Sequence, residues 1–243
     1  MNLVIDIGNT FTKLALFQNA EMIAFSQVLA TDFNGINQFC KSNPAITHAI
    51  ISAVKTYPAE TEIYLKLNYS TLFFSHLTPL PIQNSYLSPE TLGEDRLAAA
   101  VAAHQLFPHQ PVLIVDAGTA ITFDLVNENG EYMGGGISPG IRTRYKALHE
   151  FTSKLPFVDF IDTTPLIGKD TIASIQSGVL NGVIAEVDGI IMQYQGIYPD
   201  IQIILTGGDH YYFDKRLKIK TFAAPNLVLE GLNRILNFNL ETH

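Results

Sequence analysis

Two short segments place an aspartate two residues before a glycine at the end of an apolar run. They are Asp6-Ile7-Gly8-Asn9-Thr10 and Asp116-Ala117-Gly118-Thr119-Ala120. Backbone N–H groups in a glycine-bearing turn can hydrogen-bond phosphate oxygens. An aspartate at the strand end can hold a divalent cation, directly or through water, and Mg²⁺ prefers one or two carboxylates plus substrate phosphates. Two such turns facing each other across a cleft would clamp one polyphosphate from both sides. The plainer alternative is that Asp6 and Asp116 only cap their own turns. A third glycine turn, Gly207-Gly208, follows the apolar run Ile201–Leu205 and adds weight to the ligand reading.

A second candidate is Gly93-Glu94-Asp95-Arg96, where a long polar stretch enters a helix. Phosphoryl transfer to an alcohol needs positioning, charge neutralisation and a group that accepts the hydroxyl proton. Asp95 falls in the first helical turn, where the macrodipole favours its ionised form, so it can serve as a general base. Arg96 beside it can hold a substrate carboxylate with two parallel hydrogen bonds. The competing explanation is that acidic residues in a first turn simply stabilise the helix. Other nucleotide motifs fail: Gly168-Lys169 lacks the earlier glycine of a P-loop, and Gly134 to Gly140 does not fit G-x-G-x-x-G. The paired turns carry the nucleotide argument alone.

Those turns belong to a longer repeat. Residues 3–23 align with 113–133 at a constant offset of 110 without a gap. Leu3/Leu113, Asp6/Asp116, Gly8/Gly118, Thr12/Thr122, Asn19/Asn129 and Glu21/Glu131 are identical. A repeat this long means two domains built alike, with a boundary at Pro108-His109-Gln110-Pro111: residues 1–110 and 111–243. Each opens with strand, Asp-x-Gly turn, strand, turn, strand. In the first copy the strands are expected at 3–7, 11–17 and 22–28. Asp32 caps a helix to about Ser42. A strand at 49–53, a helix at 58–67 and a strand at 71–75 follow. Residues 76–92 read as a surface loop, and Thr91-Leu92-Gly93-Glu94 as a capping box for a helix to Leu106. The second copy continues with helices at 141–149 and 171–193, strands at 201–205 and 219–222, and a closing helix at 226–238. Alternating strands and helices imply α/β structure with parallel pairing beyond each opening meander.

Composition narrows the partners. The net charge is −8, which disfavours nucleic-acid binding and docking to anionic membrane. Charged residues make up only 16% of the chain, which hints at surface covered by another subunit. The one cysteine, Cys40, permits no intrachain disulfide and fits a reducing cytoplasm; it reads as a small buried apolar side chain. The start has no signal-peptide pattern, and no apolar run approaches a membrane span. The histidines at 48, 76, 104, 109, 149, 210 and 243 lack metal-ligand spacing. The Leu97–Ala103 helix has small side chains suited to close helix approach, within a domain or between subunits.

In family order over nearly the whole chain, the motifs resemble the type III pantothenate kinases of the acetate and sugar kinase, Hsp70 and actin superfamily. They are Asp6 to Thr10 with Lys13, Gly93-Glu94-Asp95-Arg96, Asp116 to Ala120 with Thr122, Gly134 to Gly140, Gly168-Lys169-Asp170-Thr171 and Thr206-Gly207-Gly208. The resemblance implies duplicated ribonuclease H-like (actin-like ATPase) domains and ATP-dependent phosphorylation of pantothenate in coenzyme A biosynthesis. It implies that Asp6, Gly8, Asn9, Thr10 and Lys13 bind ATP, with Asp6 near Mg²⁺, and that Thr119 contacts ATP. Asp116 would bind a monovalent cation, K⁺ or NH₄⁺. Asp95 would be the proton acceptor, and Gly93, Glu94, Arg96, Tyr86 and Thr171 would line the pantothenate site. Tyr86 has the alternative role of a loop aromatic covering apolar surface, Glu94 that of a solvent-facing side chain, and Thr171 that of a helix cap. A cytoplasmic homodimer, its partner subunit completing the pantothenate pocket, is also implied. Two rivals stay open: a non-catalytic nucleotide-binding regulator on the same fold, and a kinase for another small carboxylated alcohol.

Overall fold

The computed structural model describes residues 1–241. The chain divides into two compact units. One comprises Met1–Leu106, Gly130–Tyr132 and the segment from Asn226; the other comprises Phe107–Asn129 and Met133–Pro225.

In the first unit, β1 (Asn2–Ile7), β2 (Phe11–Gln18) and β3 (Glu21–Leu29) form an antiparallel meander. Next come α1 (Phe33–Lys41), β4 (His48–Ala53), α2 (Ala59–Asn68) and β5 (Ser70–Phe73). The strand order is β3-β2-β1-β4-β5, with β4 parallel to β1 and β5 parallel to β4. Every residue of central β1 is buried, so it reads as a nearly unbroken apolar run rather than an alternating one. Asp32 caps α1, its carboxylate accepting the Gly35 N–H at 2.9 Å. Leu3, Ile5, Leu14, Ile36, Cys40, Ile51 and Leu65 form the core, each aliphatic side chain contributing about 1.5–3 kcal/mol by burial. Burial pushes the Cys40 thiol up to about 11, so it behaves as the expected apolar filler. The polar stretch after β5 carries a two-residue strand, β6 (Gln83–Asn84), and a 3₁₀ turn at Pro89–Thr91 before α3 (Glu94–Leu106).

The second unit contains β7 (Val112–Ala117), β8 (Ala120–Val126), β9 (Glu131–Pro139), α4 (Ile141–Glu150), α5 (Thr171–Ile197), β10 (Gln202–Thr206), α6 (His210–Asp214) and β11 (Phe222–Ala223). Its strands run β11-β10-β7-β8-β9, with β10 parallel to both β7 and β11. That order repeats β5-β4-β1-β2-β3, so the duplicated α/β architecture expected from the repeat is present. The first residues of β9, Glu131 and Tyr132, count with the first unit, where they pair in parallel with β6. Helix α5 is long and apolar enough, by composition, to cross a bilayer, although polar residues interrupt its apolar positions throughout. Its Ile175, Val179, Leu180, Val183, Val187 and Ile191 pack in the core of the second unit.

The closing helix, α7 (Leu227–Glu241), packs on α3 of the first unit. A cut at residue 110 assigns it to the second half of the chain; its contacts lie with the first. Gly231 allows the approach, because a Cβ there would stand 1.8 Å from the Ala98 carbonyl oxygen. The small residues of α3 from Leu97 to Ala103 are buried in this packing.

Two local expectations give way. Thr91 does not cap α3: its hydroxyl donates to the Ser88 carbonyl at 3.0 Å and lies 2.9 Å from the Ser88 hydroxyl. The Gly93 carbonyl instead accepts Arg96 N–H at 3.2 Å and Leu97 N–H at 3.3 Å, and the Glu94 carboxylate turns to a donor on β4. The ungapped repeat also slips at the turn. Asp6 stands across from Lys13, whereas Asp116 stands across from Thr122, because the second hairpin is one residue tighter. A one-residue slip exchanges the faces of a strand, so Thr12 and Thr122 are not structural counterparts despite their identity.

Candidate active site

Within the first unit, Asp6 is the last residue but one of β1 and is only 8% exposed. The turn beyond it is closed by Gly8 N–H donating to the Phe11 carbonyl at 2.9 Å, leaving Asn9 and Thr10 exposed. Lys13 lies opposite Asp6 on β2. Lys55, just past β4, donates to the Asn9 carbonyl at 2.8 Å, so two cations flank this turn. Burial pushes the Asp6 carboxyl up to about 6; Lys13 opposes the shift, and the Asp95 and Glu94 charges add to it. Asp6, Glu94 and Asp95 thus share one electrostatic neighbourhood.

Asp95 accepts the Arg96 N–H at 2.9 Å in the first turn of α3. A Cβ on Gly93 would stand 2.5 Å from the Asp95 Oδ1, so glycine there clears the space that the carboxylate occupies. Arg96 is 8% exposed, and its guanidinium carbon lies 5.9 Å from the centroid of the Tyr86 ring. Tyr86 in turn lies 6.1 Å from the Tyr132 ring. Tyr86 therefore covers apolar surface while also facing the guanidinium. Glu94 faces neither solvent alone nor a capping partner: its Oε2 accepts the Ala53 N–H at 3.1 Å.

The second unit builds a counterpart at the ends of β7 and β10. Asp116 lies at the end of β7, and Gly118 N–H donates to the Ala120 carbonyl at 2.9 Å. Gly207 has φ +88°, a left-handed conformation suited to glycine. A Cβ there would come within 2.4 Å of the Asp116 Oδ1, so the Gly207 turn lies directly against that carboxylate. The Thr119 carbonyl accepts Gly140 N–H at 3.0 Å and the Thr143 hydroxyl at 2.6 Å, which ties this turn to the start of α4. Asp209 donates its N–H to the Ala117 carbonyl at 2.9 Å and pairs with Arg142 at 2.9 Å. Thr171 stands elsewhere in this unit, as the first residue of α5 after its cap Asp170. It lines a groove of about 1110 Å³ between α4 and α5 that neither Asp116 nor Thr119 reaches.

Sequence reasoning did not pick out Lys55, Arg142 or Asp209. Asp209 had a signal, since it follows a glycine pair at a strand end; Lys55 and Arg142 had none. A model of the type III pantothenate kinase family matches residues 2–193.

The chain belongs to the type III pantothenate kinase family.

It is 45% identical over 240 residues to a type III pantothenate kinase of Christiangramia forsetii, covering 98% of this chain and 99% of that one. A type III pantothenate kinase of Phocaeicola vulgatus is 43% identical over 240 residues, with the same coverage. Among solved structures, a Campylobacter jejuni protein named for the Baf family of transcriptional activators has a TM-score of 0.63 at 21% identity, covering 98% of this chain and 99% of that one. A ROK family glucokinase from Streptomyces griseus has a TM-score of 0.51 at 11% identity, covering 98% of each chain. At these identities the structural likenesses speak for the sugar-kinase and actin-like fold alone.

Among the described residues, no group of three or more His, Cys, Asp or Glu side chains is arranged to hold a metal by itself; His243 lies outside them. A kinase nevertheless takes ATP with a divalent metal. The residues fit an ion shared with phosphates: one buried carboxylate at a strand end, Asp6, with two more nearby and cations flanking the turn.

Proposed function

We propose that this chain transfers the γ-phosphoryl group of ATP to the primary hydroxyl of pantothenate, the first step of coenzyme A biosynthesis. Family membership supports the substrate pair. The observation that carries the residue assignment is the placement of Asp95 beside Asp6 at the start of α3, with Gly93 clearing room for its carboxylate.

Asp95 accepts the hydroxyl proton as the pantothenate oxygen bonds to the γ-phosphorus and the bond to ADP breaks. Arg96, held under the Tyr86 ring, takes the pantothenate carboxylate. Gly8, Asn9, Thr10 and Lys13 of the first unit contact the phosphates of ATP, and Thr119 of the second contacts ATP. Asp6 would hold Mg²⁺, directly or through water, and the ion would supply positive charge against the phosphates. Asp116, closed in by the Gly207 turn, would hold K⁺ or NH₄⁺. Thr171 closes the pantothenate pocket, which a partner subunit completes in a cytoplasmic homodimer. Because catalysis of phosphoryl transfer is mostly positioning and electrostatics, every one of these roles except proton acceptance by Asp95 asks mainly that a group be held in place.

The test is a coupled assay of ADP release with Mg²⁺ and K⁺, using pantothenate and a panel of small carboxylated alcohols, with the product identified by mass spectrometry. Pantothenate-dependent turnover yielding 4'-phosphopantothenate is expected. Turnover on another alcohol in preference to pantothenate overturns the substrate, and nucleotide binding with no turnover on any acceptor favours a regulator.

A further inference from the structure

Glu94 differs from its neighbours in where its side chain goes. Strand β5 ends at Phe73, paired with Ile51 of β4, and the last ladder bond on that side runs from Phe74 N–H to the Ile51 carbonyl. The next β4 donor facing that side, Ala53 N–H, lies beyond the reach of β5. A half-buried backbone donor needs an acceptor, and Glu94 Oε2 supplies it at 3.1 Å. Ser52, one residue earlier, brings its buried hydroxyl beside the same carboxylate without a well-formed hydrogen bond.

The rung that Glu94 grips is informative. In the parallel pairing of β1 with β4, Asp6 is opposite Ser52 and Ile7 is opposite Ala53. One side chain therefore joins the first residue of α3 to the rung of the sheet next to the one that carries Asp6. Asp95, the next residue along, is positioned relative to Asp6 through this link. The carboxylate is partly desolvated, and burial raises its pKa while the Ala53 N–H opposes the rise. Putting a third carboxylate beside Asp6 and Asp95 is electrostatically unfavourable, which argues for a specific return from its placement.

We infer that Glu94 is a positioning residue: it moors the start of α3 to the end of β4 and so sets Asp95 at the right distance from Asp6, without itself touching pantothenate. The inference rests on Asp95 being the proton acceptor. A misplacement of about 1 Å can cost roughly 10²-fold in rate. Glu94→Ala is therefore expected to lower kcat by about 10–100-fold, with the KM for pantothenate and the ATP affinity each within about 3-fold of wild type. Glu94→Gln keeps an acceptor oxygen at the same reach and is expected to restore kcat to within about 5-fold of wild type.

The experiment measures kcat, KM and ATP affinity for both variants, and amide hydrogen exchange at Ala53 in the nucleotide-free protein. Slow Ala53 exchange in wild type and Glu94→Gln, with faster exchange in Glu94→Ala, supports the mooring by a readout independent of turnover. Three outcomes overturn it: unchanged kcat in Glu94→Ala, an equal loss in Glu94→Gln, or a rise in KM with kcat intact. Should Glu94→Ala fail to fold, Glu94→Asp replaces it, because its shorter side chain withdraws the acceptor while keeping the charge. Pantothenate-dependent turnover by the wild type is measured first, so an inactive wild type counts against the function and not against the mooring.

Discussion

Asp6 carries a cost that can be measured. Its carboxyl is buried in the first unit and pushed from an ordinary value of 3.8 to about 6. Each pKa unit is worth about 1.4 kcal/mol, so ionising this group in the folded, nucleotide-free protein costs about 3 kcal/mol. Between pH 4 and 6 the folded state holds a proton that the unfolded chain has released, so raising the pH lowers stability. The contribution is fully present below about pH 4 and lost as the pH rises through 6. Asp6→Asn removes this titration. Desolvation is the largest cause of the shift, and the loss of the attraction to Lys13 offsets part of the gain. The variant is therefore expected to be more stable than wild type at pH 8 by up to about 3 kcal/mol, and to lose that advantage towards pH 4. At about 2–4 °C per kcal/mol for a chain of this size, the Tm difference at pH 8 is several degrees. Thermal melts of both proteins from pH 4.5 to 8, with EDTA and without nucleotide, provide the assay. Parallel curves, or a variant less stable than wild type at pH 8, would refute the reasoning.

Other consequences follow from individual close approaches. Gly93→Ala puts a Cβ 2.5 Å from the Asp95 Oδ1; kcat should fall by about 10–100-fold while the melting temperature shifts little, as kinetics and calorimetry on one preparation can show. Gly231→Ala forces α7 away from the Ala98 carbonyl and should cost about 1–3 kcal/mol by overpacking, read as a lower Tm. If Asp116 holds K⁺, replacing K⁺ with Na⁺ lowers the wild-type rate, and Asp116→Asn makes the rate indifferent to the choice; steady-state assays in matched salts test both.

Much of this arrangement was legible in the residues. The meander, the Asp32 cap and the alternating elements followed from short-range pattern, because each depends on neighbours within a few positions. What escaped depends on distant partners. The Glu94 carboxylate left its capping box because a donor at Ala53, 41 positions away, had a stronger claim on it. Helix α7 packs with the first unit because Gly231 fits the backbone at Ala98, a complementarity no local pattern encodes. The one-residue slip of the second hairpin is invisible to an ungapped alignment, since identical residues flank it: Gly8 and Gly118 before, Thr12 and Thr122 after. Helix α6 spans only five residues, too few to express a helical period. The site motifs were legible individually; that Asp6, Glu94 and Asp95 affect one another electrostatically emerged only from the folded first unit.

The most direct measurement is the turnover of Asp95→Asn with pantothenate and saturating ATP, alongside ATP affinity by calorimetry. Removing a positioned general base costs about 10²–10⁴ in rate, so kcat should fall by that factor while ATP still binds with near wild-type affinity. A variant that turns over at the wild-type rate would contradict the assignment of Asp95 as the group that takes the proton.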